Sequence, residues 1–348
     1  MESGAAVDKP PLAERMAVRQ VAPDVWAVPV PIPDNPLRYT VCYALEAPGG
    51  LVLLDPGWDG DATYEALSAG LATLGAAVGD VRGVVSTHFH PDHHGLAGRV
   101  RAESGAWVAL HEADARFFGS DAAAVEAMVR TNETWLRAAG ASVDEHPELA
   151  DAGDEVVRRI LLARPDVHPL DGDRLPGTGR LTVVHTPGHT PGHICLHDPD
   201  RRLLFGGDHL LPRISPNVGW HPMSGENPLG DFLASLDRVA RLDPAAGLVL
   251  PAHEWPFTGP AARAKELIRH HDERLSEVKA LLVPGPRTAW DLAQDLTWSR
   301  PWESLVPNLK RAALGEVLAH LVLLLSAGEV TRSTGSPQMW SLIQEEHA

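Results

Sequence analysis

Cysteine is nearly absent from this chain: Cys42 and Cys195 are its only two, far apart and outside any C-x-x-C. That excludes a disulfide framework and a thiolate metal site, so both read as small buried hydrophobes on strands. Basic residues are also scarce. Lys and Arg total 30 against 46 Asp and Glu, a formal charge of −16 over 348 residues. This is the wrong sign for a chain that grips nucleic acid through a basic face. The longest apolar run, "LAHLVLLLSA" over Leu318–Ala327, is broken by His320 and too short for a bilayer. The N-terminal "MESGAAVDKPPLAERMAV" carries acidic residues and prolines and no apolar core, so it does not read as a secretory signal. The expectation is a cytoplasmic enzyme with neither membrane nor nucleic acid as partner.

What is present is enough hydrophobic content (44%) for a large domain and a smaller one. From Val21 to Pro56 the chain reads as short strands with turns, the last run being "GLVLLDPG" after Gly49 and Gly50. "ATYEALSAGLATLG" has helical periodicity, and "VRGVVSTHFH" follows as a buried strand. Between about 113 and 171 the pattern turns helical and polar. "DAAAVEAMVRTNETWLRAAG" and "DEVVRRILLARP" read as helices of an insertion, either a lid or a surface hairpin without function. Strands return with "RLTVVHTPGH", "HICLHDPDRRLLFGGDH" and "GLVLPAHEW". After about Gly259 three helices are expected, the second capped by Thr288 and the third stopped by Gly328. Two short strands around "RSTGSP" then complete the order of a winged helix. The expected domains are 1–262 and 263–348.

One stretch stands apart. "STHFHPDHHGLAG" packs four histidines and an aspartate into His88–His94. Neutral imidazoles with carboxylates are the donors that suit Zn, Fe or Mn. Alternate residues His88 and His90 can face one metal, and the adjacent Asp92 and His93 can turn toward a second. Further donors are then required downstream. His189 follows one apolar run in a Pro-Gly turn, Asp208 follows another after Gly206 and Gly207, and His253 follows the last. Several candidates, each at the C-terminal end of an expected strand, describe a site built along one sheet edge.

In these motifs the chain resembles the metallo-β-lactamase fold superfamily. H-x-H-x-D-H, T-P-G-H-T, G-D and A-H occur in the family's order, over roughly Val21 to Gly259. The resemblance implies a four-layer αβ/βα sandwich, two facing mixed sheets with metals at one edge. It implies that His88, His90 and His189 hold the first metal, that Asp92, His93 and His253 hold the second, and that Asp208 bridges both. Two Zn²⁺ ions are expected, with Fe or Mn as alternatives. Asp55 in "LLDPG" matches an aspartate that orients a ligand histidine or its loop. His94 matches no ligand and reads as packing or as support for the site. The implied reaction is hydrolysis by a metal-bridging hydroxide, with Asp92 moving a proton to the leaving group.

Asp208, and the absence of cysteine there, make the site similar to glyoxalase II, the lactonases and the ribonuclease-type members rather than to true β-lactamases. The C-terminal order is similar to a subgroup that includes a mitochondrial endoribonuclease. The third helix carries only Lys310, Arg311 and His320 among apolar residues, so docking on the catalytic domain or a homodimer partner is preferred over nucleic acid. An acyl thioester is expected first as substrate, an ester or lactone second and an RNA phosphodiester third. A ligand-sensing winged-helix regulator is the non-enzymatic alternative. Arg213, Asn217, Trp220 and His221, on the loop after Asp208, are candidate substrate contacts.

Overall fold

The computed structural model describes residues 9–343 apart from 34, 117, 119–121, 145, 150–162, 180 and 243–246. Two compact units form. One comprises Met1–Gly119, Arg158–Pro216 and Ser235–Lys265; the other comprises Ser120–Val157, Asn217–Ala234 and Glu266–Ala348.

The first unit holds two sheets. β1 (Arg19–Ala22), β2 (Val25–Pro31), β3 (Tyr39–Ala47), β4 (Gly50–Leu54), β5 (Val81–Val85) and β6 (Trp107–Ala109) lie side by side in chain order. The first three pairings are antiparallel, and β4, β5 and β6 run parallel. The parallel steps need crossovers. These are α1 (Asp61–Thr73) before β5, and α2 (Pro91–His94) with α3 (Ala97–Ser104) after it; α4 (Glu112–Ala115) follows β6. The second sheet contains β7 (Thr182–His185), β8 (Ile194–Asp198), β9 (Leu203–Gly207), β10 (Leu248–Pro251) and β11 (Phe257–Thr258), with β9 and β10 parallel.

β3 shows why its sequence reads as an unbroken apolar run. Side chains alternate across a strand. Tyr39, Val41, Tyr43 and Leu45 enter one core with Leu181, Val183, Ile194, Leu196 and Phe205 of the facing sheet. Cys42 and Ala44 enter another, among Leu67 and Leu71 of α1 and Val100 of α3. A strand covered on both faces has no polar side to show. From Ser235 onward, the part of the helix Pro228–Leu242 that belongs to this unit is tied to the second sheet, Ser235 Oγ donating to the Pro187 carbonyl (2.8 Å) and Arg238 Nη1 to that of His185 (3.1 Å). This is the expected mixed sandwich of two sheets with helices. Main-chain bonds join the sheets at one edge, Val41 N–H to the Ala252 carbonyl (2.7 Å) and Ile194 N–H to that of Thr87 (2.8 Å).

The second unit contains α5 (Ala122–Ala138), α6 (Pro260–Leu282, entering it at Glu266), α7 (Ala289–Asp295), α8 (Pro307–Ser326) and a ribbon of β12 (Val330–Arg332) and β13 (Trp340–Leu342). The expected Thr288 cap is present as a reciprocal box. Asp291 N–H donates to Thr288 Oγ1 (3.1 Å), and Thr288 N–H donates back to the Asp291 carboxylate (3.2 Å). The segment read as an insertion over 113–171 is divided between the units. Trp135 and Leu136 of α5, and Leu149, are buried in one core with Leu282, Leu292, Leu314, Leu321 and Trp340. Trp135, in the segment expected to form a lid or a surface hairpin, is thus a core residue of this unit. Most of the helix expected over 154–165 lies outside the described residues. Among the described residues, no helix is long and apolar enough to cross a membrane.

Candidate metal centre

Parallel strands align their C-terminal ends at one sheet edge, and the side chains singled out from sequence follow those ends. Asp55 follows β4, His88 follows β5, Asp208 follows β9 and His253 follows β10. The strand β7 leads into the turn that carries His189.

Three imidazoles converge first. His88 Nε2 lies 2.9 Å from His90 Nδ1, which lies 3.1 Å from His189 Nε2. Donors about 2.0–2.1 Å from a zinc ion stand roughly 3.3 Å apart in a tetrahedron, so this spacing suits a shared cation. The tautomer of His88 follows from its surroundings. Thr87 Oγ1 donates to Asp55 Oδ2 (2.9 Å), so it accepts from His88 Nδ1–H (3.1 Å), and the lone pair of Nε2 faces inward. Burial, with His93, His90 and His189 nearby, holds the His88 pKa well below the usual imidazole value. A neutral imidazole is the ligand form.

The second group is built around carboxylates. His253 Nε2 lies 3.4 Å from Asp92 Oδ2 and 3.3 Å from Asp208 Oδ1; His93 Nε2 lies 3.6 Å from each of the same two oxygens. The other oxygen of Asp208, Oδ2, faces His189 Nε2 at 3.6 Å. Asp208 therefore presents one oxygen to each group. Both rings are held from behind: His93 Nδ1–H donates to Asp55 Oδ2 (3.0 Å) and His253 Nδ1–H to the Tyr39 carbonyl (3.0 Å). Asp55 completes its set by accepting from Thr87 N–H (2.7 Å).

Burial by itself would lower the pKa values of His93 and His253. The carboxylates together override it, holding His93 well above the usual value and raising His253 to about 10, with Asp208 the largest of the raising influences on each. Burial would raise Asp92 and Asp208, and the same histidines hold both below the usual carboxylate range. His93 Nε2, His253 Nε2 and Asp208 Oδ1 are buried without a hydrogen-bond partner. Such orphans cost about 1–3 kcal/mol each unless something satisfies them. A divalent cation does so, and the three donor groups His88/His90/His189, His88/His93/Asp208 and Asp92/His93/His253 each have ligand atoms close enough to share one.

Three supporting residues escaped the sequence reading. Asp114, in α4 beyond β6, is fully buried and accepts from Phe89 N–H (3.0 Å), Thr190 Oγ1 (2.8 Å) and Gly192 N–H (2.6 Å). It clamps the loop of His88 and His90 to the loop of His189. Burial raises its pKa to about 7 against those donors. His193 Nε2 accepts from Asp208 N–H (3.1 Å) while its Nδ1 faces Thr186 Oγ1 (2.8 Å). Gly207 has φ 50°, and a Cβ there would stand 2.6 Å from His193 Nε2 and 2.8 Å from Thr87 Oγ1, so only glycine fits beneath Asp208. Glu254 takes the charge of Arg213, whose Nε (3.0 Å) and Nη2 (2.8 Å) reach one carboxylate oxygen. Position at the sheet edge was the available signal for Asp114 and His193.

The remaining candidates are placed as follows. His94 is buried, with Nδ1 accepting from Ser86 Oγ (2.7 Å), Nε2–H donating to the Ala163 carbonyl (2.8 Å) and its ring stacked on Phe118. Both nitrogens are engaged, which accounts for its exclusion from the ligand groups. Arg213 belongs to the first unit; Asn217, Trp220 and His221 belong to the second. There Asn217 Nδ2 donates to the Ala312 carbonyl (3.4 Å), Trp220 N–H to that of Gly315 (2.8 Å), and His221 Nδ1 accepts from Met223 N–H (3.2 Å).

Comparison with known proteins agrees with this geometry. The family model of the metallo-beta-lactamase superfamily matches residues 35–253. A metallo-beta-lactamase family protein from Thermus thermophilus superposes with a TM-score of 0.74 at 34% identity, over 93% of this chain and 100% of that one. Probable metallo-hydrolase YqjP of Bacillus subtilis (strain 168) is 28% identical over 282 residues, 78% of this chain and 85% of its own length. Acyl-coenzyme A thioesterase MBLAC2 of Homo sapiens is 33% identical over 177 residues, 49% of this chain and 54% of its own length.

Proposed function

The chain belongs to the metallo-beta-lactamase superfamily, and on that premise we propose that it is a binuclear hydrolase of ester-type carbonyls, acting foremost on a small acyl thioester. The observation that carries the proposal is the pair of donor groups sharing Asp208, whose inward atoms are orphaned in its second half. His88, His90 and His189 would hold one metal, Asp92, His93 and His253 the other, and Asp208 would serve both. Zinc is the metal these donors favour, with iron or manganese compatible. When bound, the metals supply Lewis acidity toward the attacking water and the substrate carbonyl oxygen.

The residues of the chain do the rest. Asp92 accepts the proton released by the water and returns it to the departing sulfur. Asp55, Thr87 and the Tyr39 carbonyl keep the ligand imidazoles in one tautomer and orientation. A thioester is preferred over other acyl groups because the superfamily relative MBLAC2 carries that activity in its name. Cytoplasmic location and the absence of a nucleic-acid partner belong to the same reading, as does pairing of two chains through the C-terminal helices.

The test is metal analysis of the purified protein, with hydrolysis assays over acyl-coenzyme A, ester, lactone and RNA substrates. Acyl-coenzyme A should be cleaved, with loss of activity in chelator and recovery on adding metal. The His90→Ala/Asp208→Ala double variant should lose on the order of 10³-fold or more in kcat/KM. Equal turnover by the double variant would sink the hydrolase reading; lactone turnover with inert thioesters would replace the substrate class.

A further inference from the structure

A cavity of the first unit, of about 300 Å³, is lined by Pro10, Glu14, Arg15, Arg19, Trp255 and Pro256 among others. Arg15 is anchored there. Its guanidinium sits 5.6 Å from the Trp255 ring centre and 5.9 Å from that of Tyr39. Its Nε donates to the Pro10 carbonyl (3.1 Å) and its Nη1 to Tyr39 Oη (3.4 Å). Arg19 Nη1 donates to the main-chain carbonyl of Glu14 (3.1 Å), not to its carboxylate. Both guanidinium groups thus contact neutral oxygens or rings. Among the described residues, neither has a carboxylate partner.

That is unusual in a chain with a formal charge of −16, where carboxylates are plentiful. Arginine held in place by aromatic rings, with no carboxylate partner among the described residues, is prepared to form charge-assisted hydrogen bonds to phosphate. The partly exposed Pro10 and Pro256 beside it offer apolar contact to a planar base. Trp255 is itself buried with no partner for its Nε1–H.

We propose that this cavity binds a phosphorylated nucleoside, with Arg15 and Arg19 on the phosphates. Resting on the thioester reading above, the ligand is the nucleotide end of a coenzyme A thioester. That end lies at the far end of the pantetheine arm from the scissile bond, so it needs a subsite of its own. Trp255 is two residues from His253, and Tyr39 links the two places. Its carbonyl accepts from His253 Nδ1–H, and its hydroxyl donates to the Glu254 carbonyl (2.6 Å).

The experiment uses the metal-loaded full chain and has two arms. In the first, calorimetry measures adenosine 3′,5′-bisphosphate and inorganic pyrophosphate against wild type, Arg19→Ala and Arg19→Glu, with melting curves to confirm folding. The bisphosphate should bind, more tightly than pyrophosphate, and Arg19→Glu should weaken it about tenfold or more, with Arg19→Ala between. Equal affinity in all three proteins, or no binding to wild type, overturns the site. Pyrophosphate binding as tightly as the nucleotide overturns the nucleoside assignment. In the second arm, the ratio of KM for an acyl-pantetheine to KM for the matching acyl-coenzyme A is compared between wild type and Arg19→Glu. It should fall about tenfold, and an unchanged ratio overturns the coenzyme A assignment. Should wild type cleave neither thioester, the functional reading fails while the first arm still decides the cavity.

Discussion

At the residue scale, the side chains that the fold gathers into donor groups were legible, and those that hold them were only partly so. His88, His90, Asp92 and His93 announce themselves because few other residue types bind a hard or borderline cation. Asp114 does not, because its partners Phe89 and Gly192 lie 25 and 78 positions away and are engaged through main-chain N–H groups. Any sequence would present those groups. Asp114→Asn replaces one acceptor oxygen with an amide that confronts donors, so the clamp between the two loops should open. Chelator competition should show metal affinity reduced about 10–100-fold. His94 is the contrasting case. It sits beside the ligands in sequence, yet Ser86 and Ala163 occupy both its nitrogens. His94→Ala should cost about 2–4 kcal/mol in denaturant unfolding through lost packing and hydrogen bonds. Its metal affinity should stay within about threefold of wild type; a loss comparable to that of Asp114→Asn would place His94 among the metal-positioning residues.

At the scale of elements, the order expected after about Gly259, three helices and then a ribbon, is that of α6, α7, α8 and β12–β13. Periodicity did not assign α5 to its unit. An apolar stripe says that a helix has something to bury, and Trp135 and Leu136 find Leu314 and Leu321 some 180 positions onward only through tertiary packing. Packing of α6 on α8 brings two imidazoles together, His271 Nδ1 lying 3.2 Å from His320 Nε2, with His320 Nδ1–H donating to the Glu316 carbonyl (2.7 Å). Burial lowers their pKa values to about 3 and about 4, helped by nearby Arg274 and His270 and opposed at His320 by its bond to the Glu316 carbonyl. A histidine depressed in the folded state contributes stability that is full above its unfolded value near 6.5 and is lost as pH falls toward the folded one. Folding should therefore weaken between about pH 6.5 and 4, by roughly 3 kcal/mol for each such group. His320→Leu keeps the packing and removes one titration. Its unfolding free energy, followed by tryptophan fluorescence, should depend less on pH across that window. An acid limb identical to that of wild type would assign the loss to other groups.

At the scale of the whole molecule, the excess of acid over base and the position of the donors act together. The fold brings the ends of β4, β5, β9 and β10 to one edge, and so gathers Asp55, Asp92 and Asp208 around His93 and His253. In the metal-free protein these carboxylates recruit protons: His253 titrates at about 10, and His93 lies well above its usual value. A ligand imidazole must be neutral, so metal and protons compete for the same Nε2 atoms. Both pKa values are raised, hence the protons are present at neutral pH and are lost only as pH rises. Metal affinity should accordingly climb with pH through the range from about 6 to 9. Binding near pH 7 should release on the order of one to two protons from the second group. Calorimetry in buffers of different ionisation enthalpy measures that number directly. Release near zero would mean that His93 and His253 are already neutral without metal, and the compensation between carboxylates and imidazolium ions at this edge would fall with it. The same competition sets the stability of the first unit. Chelation should lower its melting temperature more at pH 8 than at pH 6, because at the lower pH protons already satisfy part of the orphaned donor set that the metal otherwise fills.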